Sequence, residues 1–407
     1  MKYKECLDYL NRTAKFAKKT SLDNIKYLLE CLGSPQHDLC LVHVAGTNGK
    51  GSVCAFLESM LLEKGKTTGV FSSPHILSIN ERIRLNRENI SQQDFENVFT
   101  KVYTVVQKAL KEGFVHPSFF EFLFLMAMVS FQEKQPDVCI IETGMGGRYD
   151  VTNLIMPKLC ILTTISLDHM EFLGTTLKEI ALHKAGIIKE EVPVLCTRQK
   201  KEVFDVIKQE ATKKGAPLIE VSEDNLNFHE KDGKYIDFLS VNAYDRRRVW
   251  GAFQKENLSL ALEAEKILDG PISAFDIRSA LEKVVLPGRM EEIAPSVFAD
   301  VAHNIQGIEA FCETVKKQFP GKKRILFAAS HKNEEETMRQ MLERIPGVEK
   351  IYHIQISGRN VDIEQFQDAF DQMMMYKEDD TACFVAGSFY LVGTAKQYIS
   401  QEEVEKC

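Results

Sequence analysis

A short apolar run at residues 39–44, the turn Gly46-Thr47-Asn48-Gly49, and Lys50-Gly51-Ser52 opening a helical pattern constrain this chain more than any other stretch. Val53, Phe56, Leu57, Met60 and Leu61 recur at helical spacing until Gly65. Strand, glycine-rich turn, lysine, small hydroxyl and helix form the layout of a phosphate-binding loop. Its glycines let consecutive backbone N–H groups face one concavity, the helix N-terminus adds partial positive charge, and Lys50 neutralises the outer phosphates. Val44 and Gly51 stand where the strict pattern has glycine and Ser/Thr, so the loop is a subtype.

Length and charge narrow the classes around that loop. A chain of 407 residues suggests two or three domains with ample core. A net charge of -7 argues against a general nucleic-acid binder, though not against a nucleotide. Met1-Lys2-Tyr3-Lys4-Glu5 opens into a mixed charged and apolar segment, with no signal peptide visible. The most apolar run, residues 119–131, is too short to span a bilayer, and Ser118 with Glu121 makes it a capped, buried helix. Ten cysteines without a Cys-x-x-Cys pair, among them Cys40, Cys139, Cys160 and Cys383 in apolar runs, imply reduced thiols in a cytoplasmic protein.

Taken in order, residues 1–32 read as helical, with Ser21 and Asp23 as possible caps, and residues 67–71 as a second strand. Residues 80–85 alternate like an exposed strand; helices are expected at 91–111 and 118–134, and strands at 138–142, 159–165 and 192–196. Thr176 and Glu179 cap the helix that carries Lys184. Residues 217–250 read differently, as a hairpin around Asp232-Gly233 with Arg246-Arg247-Arg248 as its solvated flank. Helices at 252–268 and 273–284 follow, and Pro287-Gly288 marks a boundary. Strands at 297–300, 324–328, 350–354 and 382–385 then alternate with helical patterns. The expected fold is α/β: a P-loop NTPase-like parallel-sheet domain over residues 1–286 and a smaller, doubly wound, Rossmann-like domain over 287–407.

In open parallel sheets ligands bind at the carboxyl ends of the strands. Lys50, Ser73, Glu142 and His169 each fall just past an expected strand, so they should gather at one edge. A phosphate loop calls for Mg²⁺, which takes a few protein oxygens together with water and nucleotide oxygens. Glu142 is the natural carboxylate ligand, with Ser73 and either Ser52 or Thr47 as hydroxyls; His169 takes a second ion or orients a ligand from behind. Spacing alone makes Lys184 an amphipathic lysine, its stem packed and its amine in water.

These segments together resemble the folylpolyglutamate synthase/dihydrofolate synthase branch of the Mur ligases. The resemblance rests on Gly46 to Ser52, Ser72-Ser73-Pro74-His75, Asn80-Glu81-Arg82-Ile83, Glu142 to Asn153, Ser166-Leu167-Asp168-His169, Leu173 to Thr176, Lys184 to Ile187, Pro287 to Glu291 and Gly387-Ser388-Phe389. It implies an ATP-binding domain, a C-terminal Rossmann-like domain and an active site in the cleft between them. Gly46, Thr47, Asn48, Gly49, Lys50, Gly51 and Ser52 would hold the ATP phosphates, and Asn257, Arg289, Asp300 and His303 would add contacts. Ser73, Glu142 and His169 would bind Mg²⁺, two ions in all, and Lys184 would be carbamylated into a further metal ligand. Lys50, Lys184 and His169 would be the catalytic set. Ser118, Phe119, Phe120 and Glu121 with Tyr149, Asp150 and Val151 would border the pterin or folate site. The chain departs from the family pattern at His183, Val301, Ile305 and Ser330-His331-Lys332-Asn333.

The activity implied is ATP-dependent amide ligation. A carboxylate of a folate or dihydropteroate takes the γ-phosphate, and the amine of L-glutamate displaces phosphate from the acyl phosphate. A cytoplasmic monomer using small molecules, with neither nucleic acid nor membrane as partner, is expected. A nucleotide-dependent switch would need guanine-reading signals such as Asn-Lys-x-Asp, which are missing. A dinucleotide oxidoreductase is disfavoured because Gly144-x-Gly146-Gly147 lacks the third spaced glycine. Another Mur-type amino-acid ligase is disfavoured by the Ser-Pro-His and Asn-Glu-Arg stretches.

Overall fold

Continuous apolar runs of four or five residues, too buried for half-exposed strands, require a sheet covered on both faces. The computed structural model describes residues 1–13, 22–222, 228–229, 235–236, 251, 253–329, 332–358, 360–375, 377–378 and 380–405. The chain divides into two compact units. The first comprises residues 1–75, 79–225 and 256–284, and the second residues 76–78, 226–255 and 285–407.

In the first unit the strands are β1 (Leu41–Ala45), β2 (Thr68–Phe71), β3 (Ile83–Leu85), β4 (Glu88–Asn89), β5 (Val138–Glu142), β6 (Leu159–Leu162), β7 (Val194–Thr197) and β8 (Leu218–Val221). They form one sheet in the order β4-β3-β2-β5-β1-β6-β7-β8. All pairings from β2 to β8 are parallel, and only β3 and β4 run antiparallel at one edge. β1 lies between β5 and β6, where the strand order reverses, so its carboxyl end opens on the crevice in which such sheets bind ligands.

The helices are α1 (Tyr3–Thr13), α2 (Leu22–Cys31), α3 (Lys50–Glu63), α4 (Gln92–Lys111), α5 (Phe119–Lys134), α6 (Met170–Leu173), α7 (Leu177–Ala185), α8 (Lys201–Lys213), α9 (Gln254–Asp269) and α10 (Ala274–Lys283). Apolar side chains of α1, α2, α4 and α5 pack with Leu41, Phe71, Cys139 and Ile141. Those of α7 and α8 pack with Ala45, Cys160, Leu162, Val194 and Cys196. Residues 122–129 of α5 are all buried, and Ser118 and Glu121 form the expected capping box. Among the described residues, no helix is long and apolar enough to cross a membrane.

Three expectations change. Residues 79–82 form a 3₁₀ turn, not an exposed strand, and Asn80 and Arg82 are buried. Their polar groups are satisfied inside, Asn80 Nδ2 donating to the Ile90 carbonyl and Arg82 Nε to His75 Nδ1. Residues 218–221, assigned to the hairpin region, are the last parallel strand of the sheet. Of the expected 159–165 strand only Leu159–Leu162 pairs, and Thr163 onwards leaves to support the phosphate loop. β9 (Phe228–His229) pairs antiparallel with β10 (Tyr235–Ile236). The expected features at Ser21, Asp232-Gly233, Arg246-Arg247-Arg248, Ser330 and His331 lie outside the described residues.

In the second unit β11 (Glu291–Ala294), β12 (Val297–Asp300), β13 (Lys323–Phe327), β14 (Val348–His353) and β17 (Ala382–Ala386) form a sheet ordered β11-β12-β17-β13-β14, while β15 (Ile356–Ser357) and β16 (Asn360–Val361) pair with each other. β11, absent from the sequence reading, is an antiparallel edge on β12. Alternate strand residues feed two clusters, one on each face. Helices α11 (Ile305–Gln318) and α12 (Lys332–Glu343) cover one, and α13 (Ile363–Met375) and α14 (Phe389–Glu405) cover the other. That arrangement is doubly wound.

Candidate active site

The phosphate loop is held from behind by the residues that follow β6. Thr47 and Asn48 N–H donate to the Thr164 carbonyl at 2.9 and 3.3 Å. Thr47 Oγ1 donates to the Ser166 carbonyl at 3.1 Å, and Thr163 Oγ1 donates to the Asn48 carbonyl at 2.7 Å. Gly49 caps α3 with φ 92°, a conformation glycine adopts without steric cost. A Cβ there would lie 2.2 Å from Asn257 Oδ1, so the side chain of α9 sits directly on the loop. Ser52 is buried in the first turn of α3, and Lys50 Nζ reaches back to the Gly46 and Thr47 carbonyls at 3.2 and 3.1 Å.

Lys184 overturns the reading drawn from spacing. Its side chain is buried rather than solvated, and Nζ donates to the Gly46 carbonyl at 2.6 Å, sharing that oxygen with Lys50. Burial first, and then the Lys50 charge, bring its amine down to about 7. A helical period finds the face of a helix but not the loop that lies against it.

Glu142 ends β5 buried, and its Oε2 accepts the Ser73 N–H at 3.1 Å. A methyl group on Gly51 would lie 3.8 Å from the same oxygen, which places the carboxylate against the first turn of α3. The loop bearing Ser73 is fixed by Arg84, whose guanidinium donates to Ser72 Oγ at 3.1 Å and pairs with Glu58 of α3 at 3.0 Å. His169 lies past β6 in a left-handed conformation (φ 48°), its Nε2 3.8 Å from the buried Asp168 carboxylate. Among the described residues, no three His, Cys, Asp or Glu converge as a closed metal cage. The donor set nonetheless fits Mg²⁺: one carboxylate and one hydroxyl loop beside a phosphate loop leave the remaining positions to water and phosphate.

The expected folate-site residues separate into two kinds. Ser118 and Glu121 are committed to the capping box, Asp150 to backbone N–H groups, and Val151 to the core. Phe119 lies under the Arg82 guanidinium at 5.3 Å, Phe120 packs over Gly144, and Tyr149 is exposed with its edge to His183.

In the second unit the Asp300 carboxylate accepts the Met290 and Ala302 N–H groups at 3.0 and 2.9 Å, and burial raises it to about 6 against the pull of Arg289. The Phe389 ring lies 5.4 Å from the Arg289 guanidinium and 5.4 Å from the His303 ring. Val301 keeps the turn, its N–H donating to the Gly288 carbonyl at 2.9 Å. Ile305 takes the first position of α11, where a backbone N–H has no intrahelical acceptor whether or not proline stands there. Sequence reasoning missed Thr163, Arg84 and Phe389. Of these Phe389 carried a signal, in the segment Gly387-Ser388-Phe389, whereas Thr163 fell inside the strand expected at 159–165.

The model of the Mur ligase middle domain matches residues 92–264, and that of the Mur ligase, glutamate ligase domain matches residues 288–391. A dihydrofolate synthase/folylpolyglutamate synthase of Bacillus subtilis is 35% identical over 357 residues, covering 84% of this chain and 83% of that protein. A folylpolyglutamate synthase of Lacticaseibacillus casei is 30% identical over 339 residues, covering 78% of each. A solved structure described as an FPGS-AMPPCP-folate complex superimposes with a TM-score of 0.85 at 27% identity, over 98% of this chain and 100% of that one.

Proposed function

This chain belongs to the folylpolyglutamate synthase/dihydrofolate synthase family of Mur ligases and is an ATP-dependent ligase, and we propose that it joins L-glutamate to the carboxyl group of both dihydropteroate and reduced folate. The observation that carries the reading is the phosphate loop with two lysines on one carbonyl and a buried carboxylate facing its helix. Use of both acids is favoured by the double name of the Bacillus subtilis relative.

Lys50 and the N–H groups of residues 46–52 hold the ATP phosphates in line with the acid substrate and neutralise charge as the γ-phosphoryl group moves. Asn257 contacts the nucleotide beside Gly49. Glu142, Ser73 and His169 hold Mg²⁺, which supplies electrostatic stabilisation to the phosphates. The neutral amine of Lys184 is the form that reacts with CO₂, and its carbamate adds an anionic oxygen donor. Phe119, Phe120 and Tyr149 offer aromatic faces to the pterin or aminobenzoyl group. The glutamate amine then attacks the activated carbonyl, and phosphate departs with the bonding pair.

The test offers the purified protein ATP, Mg²⁺ and L-glutamate with dihydropteroate or tetrahydrofolate and resolves products by mass. ADP release that depends on both acid and glutamate is expected. ATP turnover indifferent to both would overturn the assignment.

A further inference from the structure

The buried polar chain His43–Thr152–Asp150 takes no part in the chemistry proposed above. His43 is a fully buried imidazole in the middle of β1, paired in register with Ile141 and Cys160. Its Nε2 lies 2.8 Å from Thr152 Oγ1, and Thr152 Oγ1 lies 2.6 Å from Asp150 Oδ1. Asp150 Oδ1 also accepts the Thr152 N–H, and Oδ2 accepts the Gly144 and Met145 N–H groups, each at 3.0 Å. His43 Nδ1 has no hydrogen-bond partner.

Counting protons fixes the direction of the chain. Three backbone N–H groups converge on the Asp150 oxygens, two on Oδ2 and one on Oδ1, and they favour the acceptor-only carboxylate against the burial that pushes it up. Thr152 carries one hydroxyl proton and spends it on that carboxylate, so it can only accept from His43. His43 therefore donates from Nε2, and burial, which brings the ring down to about 3, keeps it neutral with Nδ1 bare. The atom left unpaired is then a bare ring nitrogen, not a buried N–H.

Asp150 in turn fixes the turn after Glu142. A Cβ on Gly144 would lie 2.7 Å from the Phe120 ring, and the Arg148 N–H donates to the His183 carbonyl at 2.7 Å. The turn thus lies between Phe120 and the helix of Lys184. We propose that His43 and Thr152 are positioning residues which, through Asp150, hold the Gly144–Met145 turn in the shape that receives the acid substrate. The inference rests on the ligase reading above for the identity of that substrate; the direction of the hydrogen-bond chain does not.

The test is Thr152→Val, which keeps the shape and removes the hydroxyl, beside Thr152→Ser, which keeps the hydroxyl. In Thr152→Val the KM for tetrahydrofolate is expected to rise about five- to ten-fold, the effect of losing about one buried hydrogen bond. The KM for ATP should stay within about two-fold, and Thr152→Ser should restore the parent value. Nitrogen NMR of the ¹⁵N-histidine-labelled parent protein should show His43 protonated on Nε2 alone. A proton on Nδ1, an unchanged tetrahydrofolate KM, or equal rises for both substrates would each overturn the proposal. If Thr152→Val does not fold, the parent spectrum and Thr152→Ser still decide. A parent protein that ligates nothing yet shows the Nε2 tautomer fails the ligase reading and leaves the hydrogen-bond chain standing.

Discussion

At pH 7.5 a lysine with the ordinary value of 10.5 is about 0.1% neutral, whereas one brought to about 7 is about three-quarters neutral. Burial beside Lys50 therefore raises the CO₂-reactive form of Lys184 several hundred-fold. Carbamylation also replaces a group that Lys50 repels with one that it attracts. The expected outcome is a carbamate on Lys184, seen by carbon NMR after equilibration with ¹³CO₂ and absent from Lys184→Arg. Its intensity and the ligation rate should rise together through about pH 7, since below that the amine holds its proton. The rate should fall in CO₂-free buffer and return with bicarbonate. Equal ligation by Lys184→Arg in CO₂-free buffer would refute the reasoning, as would an amine found by NMR to titrate in the ordinary lysine range.

Gly49→Ala forces a methyl group to within 2.2 Å of Asn257 Oδ1 at φ 92°, and should weaken binding of a non-hydrolysable ATP analogue at least about ten-fold by calorimetry while the fold is kept. Lys50→Ala should cut the ligation rate by about 10²- to 10³-fold, read as ADP released, because a charge aimed at the moving phosphoryl group is lost. Asp300 is raised to about 6, so the folded chain holds a proton that the unfolded chain has released between its ordinary 3.8 and 6. Stability contributed by that site therefore falls as pH rises through this window, and Asp300→Asn should remove that slope in denaturant titrations.

The sheet was legible because its strands are uninterrupted apolar runs, and β5 and β17 lie within a residue of their expected ends. β11 was not legible: Glu291 and Glu292 leave no apolar run to read, and an edge strand needs only one apolar face. The strand-end rule, which depends only on topology, expected Ser73 and Glu142 at one edge with Lys50, and the Ser73 N–H and Glu142 carboxylate do meet beside the first turn of α3. Lys184 and Asn257 meet the loop through contacts between residues far apart in the sequence, which no local pattern encodes. Asp150 was named only as bordering a site, and the structure shows its carboxylate accepting from Gly144, Met145 and Thr152, contacts that its place in the sequence did not announce.

The lid on Gly49 comes from a helix that rejoins the first unit only after the chain has left it at residue 225 and returned at residue 256. During synthesis, Lys50 therefore emerges roughly 200 residues before the asparagine that completes its surroundings. A nascent chain halted before that helix would have all the strands of its first sheet but an unfinished nucleotide grip, so ATP can reward only the finished unit.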